Sequence, residues 1–213
     1  MVIISEVNIN SKMIIQKEFY LSENVVEVAR KLIGKHLFTK VNGEISGGII
    51  TETEAYEGIT DKASHAYSGR KTKRTEIMFR EGGIAYIYFC YGIHSLFNIV
   101  TNKANIPHAV LIRGIFPTHG LDLILNRMNK KSLSKNMING PGKVSKALNI
   151  NYSLSGIDLK KNNKKNQPSI WLENKNIEIP ASGISVSKRI GIDYAEEDAL
   201  LPYRFFVEEK LIK

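Results

Sequence analysis

The chain has 213 residues, with 30 Lys+Arg against 21 Asp+Glu for a formal charge of +9, and a single cysteine, Cys90. That length suits one medium domain burying roughly 70% of the unfolded chain's surface, and 43% hydrophobic with 24% charged residues argues against disorder. One cysteine excludes an intramolecular disulfide framework and any multi-cysteine metal or cluster site. The longest apolar run, Ile84–Tyr91, is strand-sized and falls short of the ~18 residues of a membrane helix. The opening Met1-Val-Ile-Ile-Ser-Glu6 lacks the basic start and long apolar stretch of a secretory signal, so the expected compartment is the cytosol. The excess positive charge asks for a polyanionic partner and identifies none.

In chain order, Ser22 is the expected cap of a first helix, because Val25, Val26, Ala29, Leu32 and Ile33 follow at helical spacing and Gly34 can end it. His36–Val41 and Glu44–Glu54 flank Asn42-Gly43, a strong signal for a two-residue hairpin turn. The polar, basic stretch 58–74 reads as a long loop, and long structured loops in compact domains are usually functional. A second hairpin is expected across 84–101. Its first strand alternates Ile84, Tyr86, Tyr88 and Cys90 with Ala85, Ile87, Phe89 and Tyr91, and Gly92 breaks the run. Then come a strand over 109–115, a helix over 121–128, a tight turn at Gly140-Pro-Gly-Lys143 leading into a short helix through Leu148, and strands near 169–172, 183–188 and 203–207. The basic stretches 129–135 and 160–165 are expected as surface loops. The expected fold is α+β: one domain over 1–213, with a curved, mixed but mostly antiparallel sheet and flanking helices.

Chemistry concentrates in Thr51-Glu-Thr-Glu54-Ala-Tyr56, followed by His65. On a strand Glu52, Glu54 and Tyr56 share one face, and Glu54 stands where strand gives way to loop, a usual place for a catalytic acid or base. The plain alternative is a half-exposed strand with a solvated acidic face. A metal held by Glu54 and His65 is a further reading, weakened because His36, His94, His108 and His119 are scattered and catalytic zinc wants three protein ligands. Tyr86 and Tyr88 line one strand face, with Tyr91 at the hairpin tip. In a basic protein this suits base stacking with phosphate contact, or else it fills a core. Arg113 sits inside the apolar strand Ala-Val-Leu-Ile-Arg, where a guanidinium is costly unless it meets a carboxylate, and Glu54 is the natural candidate. Asn98, in Leu-Phe-Asn-Ile-Val, likewise needs partners. Gly140–Lys143 lacks the spacing of a Walker phosphate loop.

The ordered set Glu-Thr-Glu-Ala-Tyr (52–56), His65, Gly69-Arg-Lys-Thr72, Met78-Phe79, Ala85-Tyr-Ile-Tyr-Phe-Cys-Tyr-Gly92-Ile-His, Asn98, Val110-Leu-Ile-Arg113, Gly140-Pro-Gly-Lys143, Arg189-Ile-Gly191 and Pro202-Tyr-Arg-Phe205 resembles the alkyladenine (methylpurine) DNA glycosylases, co-linearly over about 19–207. The resemblance implies a monofunctional base-excision enzyme without cofactor or metal, acting as a monomer on duplex DNA. It would flip out alkylated or deaminated purines of the 3-methyladenine, hypoxanthine and ethenoadenine class. It implies that Glu54 activates the attacking water, with Arg113 holding water and carboxylate. Tyr56, His65 and Tyr88 would enclose the extruded base, Asn98 would disfavour the amino group of guanine, and Tyr86 would support the pocket. Tyr91, on a protruding hairpin, would fill the space the base leaves. Arg70, Lys71, Lys73, Arg74, Gly142, Lys143, Ile190 and Gly191 would lie near the DNA backbone. The sequence departs from the family's pattern at Lys73-Arg74-Thr75 and at Ile59-Thr60, which touch loop conformation and DNA contact. The alternatives are a non-catalytic damage-binding module and, by fold analogy alone, a formyltransferase-like accessory domain. Retention of Glu54, Tyr56, His65 and Arg113 together favours catalysis. Location would be the cytoplasm, beside the nucleoid in a bacterium or in the nucleus of a eukaryote.

Overall fold

The computed structural model describes residues 13–90, 92–133, 137–162, 164, 167–177 and 179–212. After a short turn of helix, α1 (Lys17–Tyr20), comes α2 (Val25–Leu32). Its cap is Asn24, not Ser22: the Asn24 side chain accepts from Glu27 N–H at 2.9 Å, and it adjoins the first helical residue, where an orphan amide needs an acceptor. The helix lies on the sheet because Val25, Val28, Ala29 and Leu32 are buried while Glu27 and Lys31 pair outside. Each such burial contributes roughly 1.5–3 kcal/mol for the larger side chains.

β1 (His36–Val41) and β2 (Glu44–Tyr56) join through Asn42 and Gly43, both at positive φ (54° and 82°), as a primed two-residue turn requires. β3 (Ile84–Cys90) and β4 (His94–Thr101) form the second hairpin in register from Ile84↔Val100 to Cys90↔His94. β5 (His108–His119) is longer than the apolar run alone implies, and α3 (Leu121–Met128) has the expected bounds. β6 (Ile138–Asn139), α4 (Pro141–Ala147), β7 (Ser169–Glu173), β8 (Ser185–Ser187) and β9 (Arg204–Phe206) follow. Among the described residues one nine-stranded sheet results, ordered β3-β4-β5-β2-β1-β7, with β6 on β5, β9 on β2 and β8 on β9. The fold is α+β. Every ladder between the described strands is antiparallel, and the parallel component is one bridge, Leu159↔Ile170. Among the described residues no helix is long and apolar enough to cross a membrane.

The site is built where β2 changes neighbours. Up to Ile49 it pairs with β1; at Glu52–Glu54 it pairs with β9 instead, keeping β5 on its other side. The β2–β5 register slips between Ile50 and Glu52 and again between Glu52 and Thr53. Ile112 faces Thr53 and Gly114 faces Glu52, so Arg113 is the extra residue of a bulge. A bulge re-aims one side chain without interrupting the sheet. Gly114 permits this: a Cβ there would stand 2.7 Å from Thr51 Oγ1 and 2.9 Å from Glu52 Cβ.

Beside the main core, two small apolar clusters seat the loops around the site. Ala66, Met78, Ile84, Tyr86, Val100 and Ala109 hold the segment after His65 against β3, β4 and β5. Ala63, Ile192, Ala195 and Ala199 pack with Tyr56.

Candidate active site

Glu54 is completely buried. Its Oε1 accepts from the Ile190 backbone N–H at 2.8 Å and lies 3.3 Å from Arg113 Nε; its Oε2 accepts from the Tyr56 hydroxyl at 2.8 Å. Burial pushes the carboxyl above its ordinary range, against the opposing pull of Arg113, the Ile190 amide and Tyr56. Tyr56 is held well above its own range by burial and by the neighbouring Glu54 charge. The pair therefore shares a hydrogen bond in which the phenol donates.

The expected Arg113–carboxylate pairing is present, but Glu54 is not its nearer partner. Arg113 Nε donates to Glu52 Oε1 at 2.9 Å, and Arg204 Nε donates to the same oxygen at 2.7 Å. Burial works against the Arg113 charge, yet Glu54 and Glu52 raise its pKa overall. Two carboxylates and two guanidiniums thus form a neutral cluster in which Arg113 bridges Glu52 and Glu54.

A second buried pair fixes the loop. Arg189 and Asp61 are paired through Nη1 and Oδ2, and Arg189 Nη2 donates to Asp61 Oδ1 at 2.9 Å. Arg189 also donates to the Ala55 carbonyl at 2.9 Å and the Asp198 carbonyl at 3.0 Å. Its guanidinium lies over Tyr56, 4.8 Å from the ring centroid. Asp61 in turn accepts from the Ala63 and Glu57 amides. Because Arg189 is anchored, the next residue can aim its N–H at Glu54. None of Glu52, Asp61, Arg189 or Arg204 carried an expected role. Glu52 was visible as the second carboxylate of one strand face, and the others lie in or beside segments that the family resemblance covers.

A cavity of about 450 Å³, within the usual size of small-molecule sites, opens beside the residues that hold Glu54, which does not itself line it. Tyr56, Arg113 and Ile190, the three residues bonded to Glu54, line it. His65, Tyr86, Tyr88 and Asn98 line it as well. The rings of His65 and Tyr88 meet edge to face at 4.5 Å, and His65 Nδ1 lies 2.8 Å from the Tyr86 hydroxyl. Arg74 Nη2 is 2.9 Å from His65 Nε2. The same Arg74 nitrogen is 3.3 Å from Nδ1; a guanidinium only donates, so the nearer Nε2 is assigned as its acceptor, which leaves the His65 proton on Nδ1 toward Tyr86. Burial, then Arg74 and Arg70, lower the His65 pKa to about 4, leaving the ring neutral at pH 7. The Asn98 amide group donates to the carbonyls of Tyr86 and Leu96 at 3.2 and 3.3 Å. Cys90, expected as simple strand packing, is half-buried and also lines the cavity.

Of the other singled-out residues, Arg70, Lys71, Lys73, Lys143, Ile190 and Gly191 are exposed. Gly140 donates to the Arg113 carbonyl at 2.7 Å, and Pro141 lines the cavity. Gly142 packs against His94, 3.0 Å from where its Cβ would be. Of the two sequence departures, Thr75 is buried and ties its turn by donating to the Arg70 carbonyl at 2.9 Å, and Ile59 and Thr60 are exposed. Tyr91 lies outside the described residues. Among the described residues no three His, Cys, Asp or Glu side chains gather as a metal would require. A larger cleft of about 750 Å³ lies elsewhere; its charges pair with each other, Lys17 with Glu81 and Lys160 with Asp158.

Three relatives are similar over nearly their whole length, and all are named as candidate 3-methyladenine DNA glycosylases. The chain is 45% identical to one from Chlamydia felis (strain Fe/C-56) over 92% of this chain and 97% of the relative. It is 41% identical to one from Clostridium novyi (strain NT) over 92% and 95%, and 42% identical to one from Bacillus cereus (strain AH820) over 87% and 91%. The family model described as methylpurine-DNA glycosylase matches residues 18–211. With a match of that extent and these identities, the chain belongs to the methylpurine-DNA glycosylase family.

Proposed function

We propose that this protein hydrolyses the bond between deoxyribose and a damaged purine flipped out of duplex DNA, leaving an abasic site and no strand break. The observation that carries this reading is a buried carboxylate with a raised pKa, bonded to three residues that line an aromatic cavity of about 450 Å³. The relatives' names supply 3-methyladenine as the substrate, and hypoxanthine and ethenoadenine extend the proposed class as neutral members.

A base inside a duplex cannot be reached, so it must be extruded at a cost of a few kcal/mol. Tyr56, Tyr88 and His65 enclose it, and electron-rich rings suit an electron-poor or cationic purine. Glu54 Oε2, which carries only the Tyr56 bond, keeps a lone pair for a water admitted beside Tyr56 and Arg113. The water oxygen bonds to the anomeric carbon as the carbon–purine bond breaks. The bonding pair leaves with the purine, so that a cationic alkylpurine departs neutral and a neutral purine departs as an anion that takes a proton from solvent, and Glu54 takes the proton of the attacking water. The transition state resembles an oxocarbenium ion, which the Glu54 charge also stabilises. Tyr91 enters the vacated space, and Arg70, Lys71, Lys73 and Lys143 supply phosphate contacts.

The test is single-turnover release of 3-methyladenine and hypoxanthine from duplex DNA by wild type and Glu54→Gln. Loss of about 10²–10⁴-fold in rate with lesion binding retained is expected for the variant. Equal excision by both removes Glu54 from the mechanism. No excision by wild type, with damage-selective binding, makes the protein a damage-binding module.

A further inference from the structure

Arg74 is exposed, yet its guanidinium does not point into solvent. It stands 4.9 Å over the Tyr88 ring and donates to His65 Nε2 at 2.9 Å. Tyr88 and His65 are two of the groups that enclose the base in the reading above. A guanidinium is planar, cationic and rich in donors, as is an N-alkylated purine still attached to its sugar. The free protein therefore holds on these two rings a side chain of the substrate's own chemical kind. Arg74 also has somewhere to go. It forms a wall, with His65 and Tyr194, between the base cavity and a neighbouring polar cavity of about 360 Å³ lined by Ser64, Tyr67 and Thr72, by Arg70, and by Lys62, whose charge is taken up by Glu196 and Glu197.

We propose that Arg74 is a displaceable occupant of the base seat, holding the place of a planar base on Tyr88 and His65 and swinging toward the neighbouring polar cavity when a base enters. The proposal rests on the reading of this cavity as a base pocket and adds a step to it: binding exchanges one ring partner for another. The exchange has a specificity consequence. Arg74 lets go of Tyr88 and His65 only for a ligand that replaces both contacts, a stacked plane and a donor to Nε2. A base without such a donor leaves His65 Nε2 buried and unpaired, which is costly. The cost of moving Arg74 is the same for a cationic as for a neutral base, provided that Arg74 leaves the seat.

The experiment uses the full chain and a ligand with no phosphate, so that any DNA-backbone role of Arg74 drops out. Free 3-methyladenine, whose exocyclic amine supplies the donor, is titrated by calorimetry into wild type, Arg74→Ala and Arg74→Lys. Arg74→Ala is expected to bind about 5- to 30-fold tighter than wild type, the fold-change of one cation–π contact plus one hydrogen bond. Guanidinium chloride, far below denaturing concentration, should erase the gain in Arg74→Ala and leave wild type little changed. Arg74→Lys, which keeps the charge but not the plane, should fall between them. Equal or weaker binding by Arg74→Ala overturns the proposal and makes Arg74 a wall of the seat. Absence of binding by every chain overturns the seat and the proposal with it. A second measurement needs no variant: the His65 Nε2 resonance of wild type should shift when 3-methyladenine is added, and an unmoved resonance at saturation overturns the displacement. Excision from duplex DNA by wild type tests the glycosylase reading separately, so it can stand while the Arg74 exchange fails.

Discussion

The floor and the rim of the cavity are built by opposite means. The floor is an ionic lattice: Glu54 fully sealed, Glu52 shared by Arg113 and Arg204, and Arg189 locked on Asp61. Glu52, Glu54, Arg113 and Arg204 sit on strand backbone at a bulge, Asp61 and Arg189 on the flanking loops, and each of the three guanidiniums donates to a named carboxylate oxygen. The rim is made of rings and one movable cation: Tyr88 and His65 in edge contact, with Arg74 laid over them from an exposed loop. A group that must act on a reacting atom gains from being placed before the substrate arrives. A seat that admits a flipped base must instead give up contacts it already has. The floor is therefore expected to carry both the chemistry and much of the local stability, and the rim to carry affinity and selectivity.

The largest effect expected from this contrast concerns the floor's anchor. Arg189→Ala strands the buried Asp61 charge and should cost about 3–5 kcal/mol of stability, read as a lower urea midpoint with an unchanged slope. If the loss is below about 1 kcal/mol, the pair behaves like a surface ion pair and the floor is not an anchored lattice. A change to the residue proposed to enter the duplex should act on recognition instead. Tyr91→Ala is expected to reduce the ratio of lesion to undamaged-DNA affinity about tenfold, the order of one lost stacking contact, with little change in thermal stability. An unchanged ratio would remove Tyr91 from the recognition step.

The smallest effect has the most telling sign. Burial raises the Glu54 pKa in the folded state above its ordinary 4.5. The folded wild type is then penalised once pH exceeds the raised value, and the penalty vanishes below 4.5. Gln cannot titrate and can still accept from Ile190, so Glu54→Gln should melt a few degrees higher than wild type at pH 8, with the gap closing as pH falls. A variant that melts lower at pH 8 would mean that the lattice needs the Glu54 charge more than burial opposes it.

How much of this was legible in the sequence differs between the same two regions. The hairpin turn at Asn42-Gly43, the strands other than the two-residue β6, and α3 follow from short-range pattern, and so does the shared face of Glu52, Glu54 and Tyr56. An arginine inside an apolar strand announced a buried carboxylate partner. It could not announce which one, because the bulge that places Arg113 between Glu52 and Glu54 is a register slip set by two distant strands and by the space at Gly114. Asp61 and Arg189 lie 128 positions apart, and nothing local relates them. Arg74 reads from sequence as one more cation of a basic loop; only the folded arrangement sets it on Tyr88 and His65. Helix caps show the same limit on a smaller scale, since Ser22 and Asn24 are both good capping residues and the start of packing at Val25 decides between them.

The central claim is that a sealed, pKa-raised Glu54 acts as the base in a floor built before the substrate arrives. The most direct measurement is the pH dependence of the single-turnover excision rate on duplex DNA carrying hypoxanthine, for wild type and Glu54→Gln. Wild type should lose rate as pH falls through an apparent pKa above 4.5, because protonation removes the base, and the residual rate of Glu54→Gln should lack that limb. An acidic limb of the same midpoint in Glu54→Gln would assign the titration to another group and contradict the account.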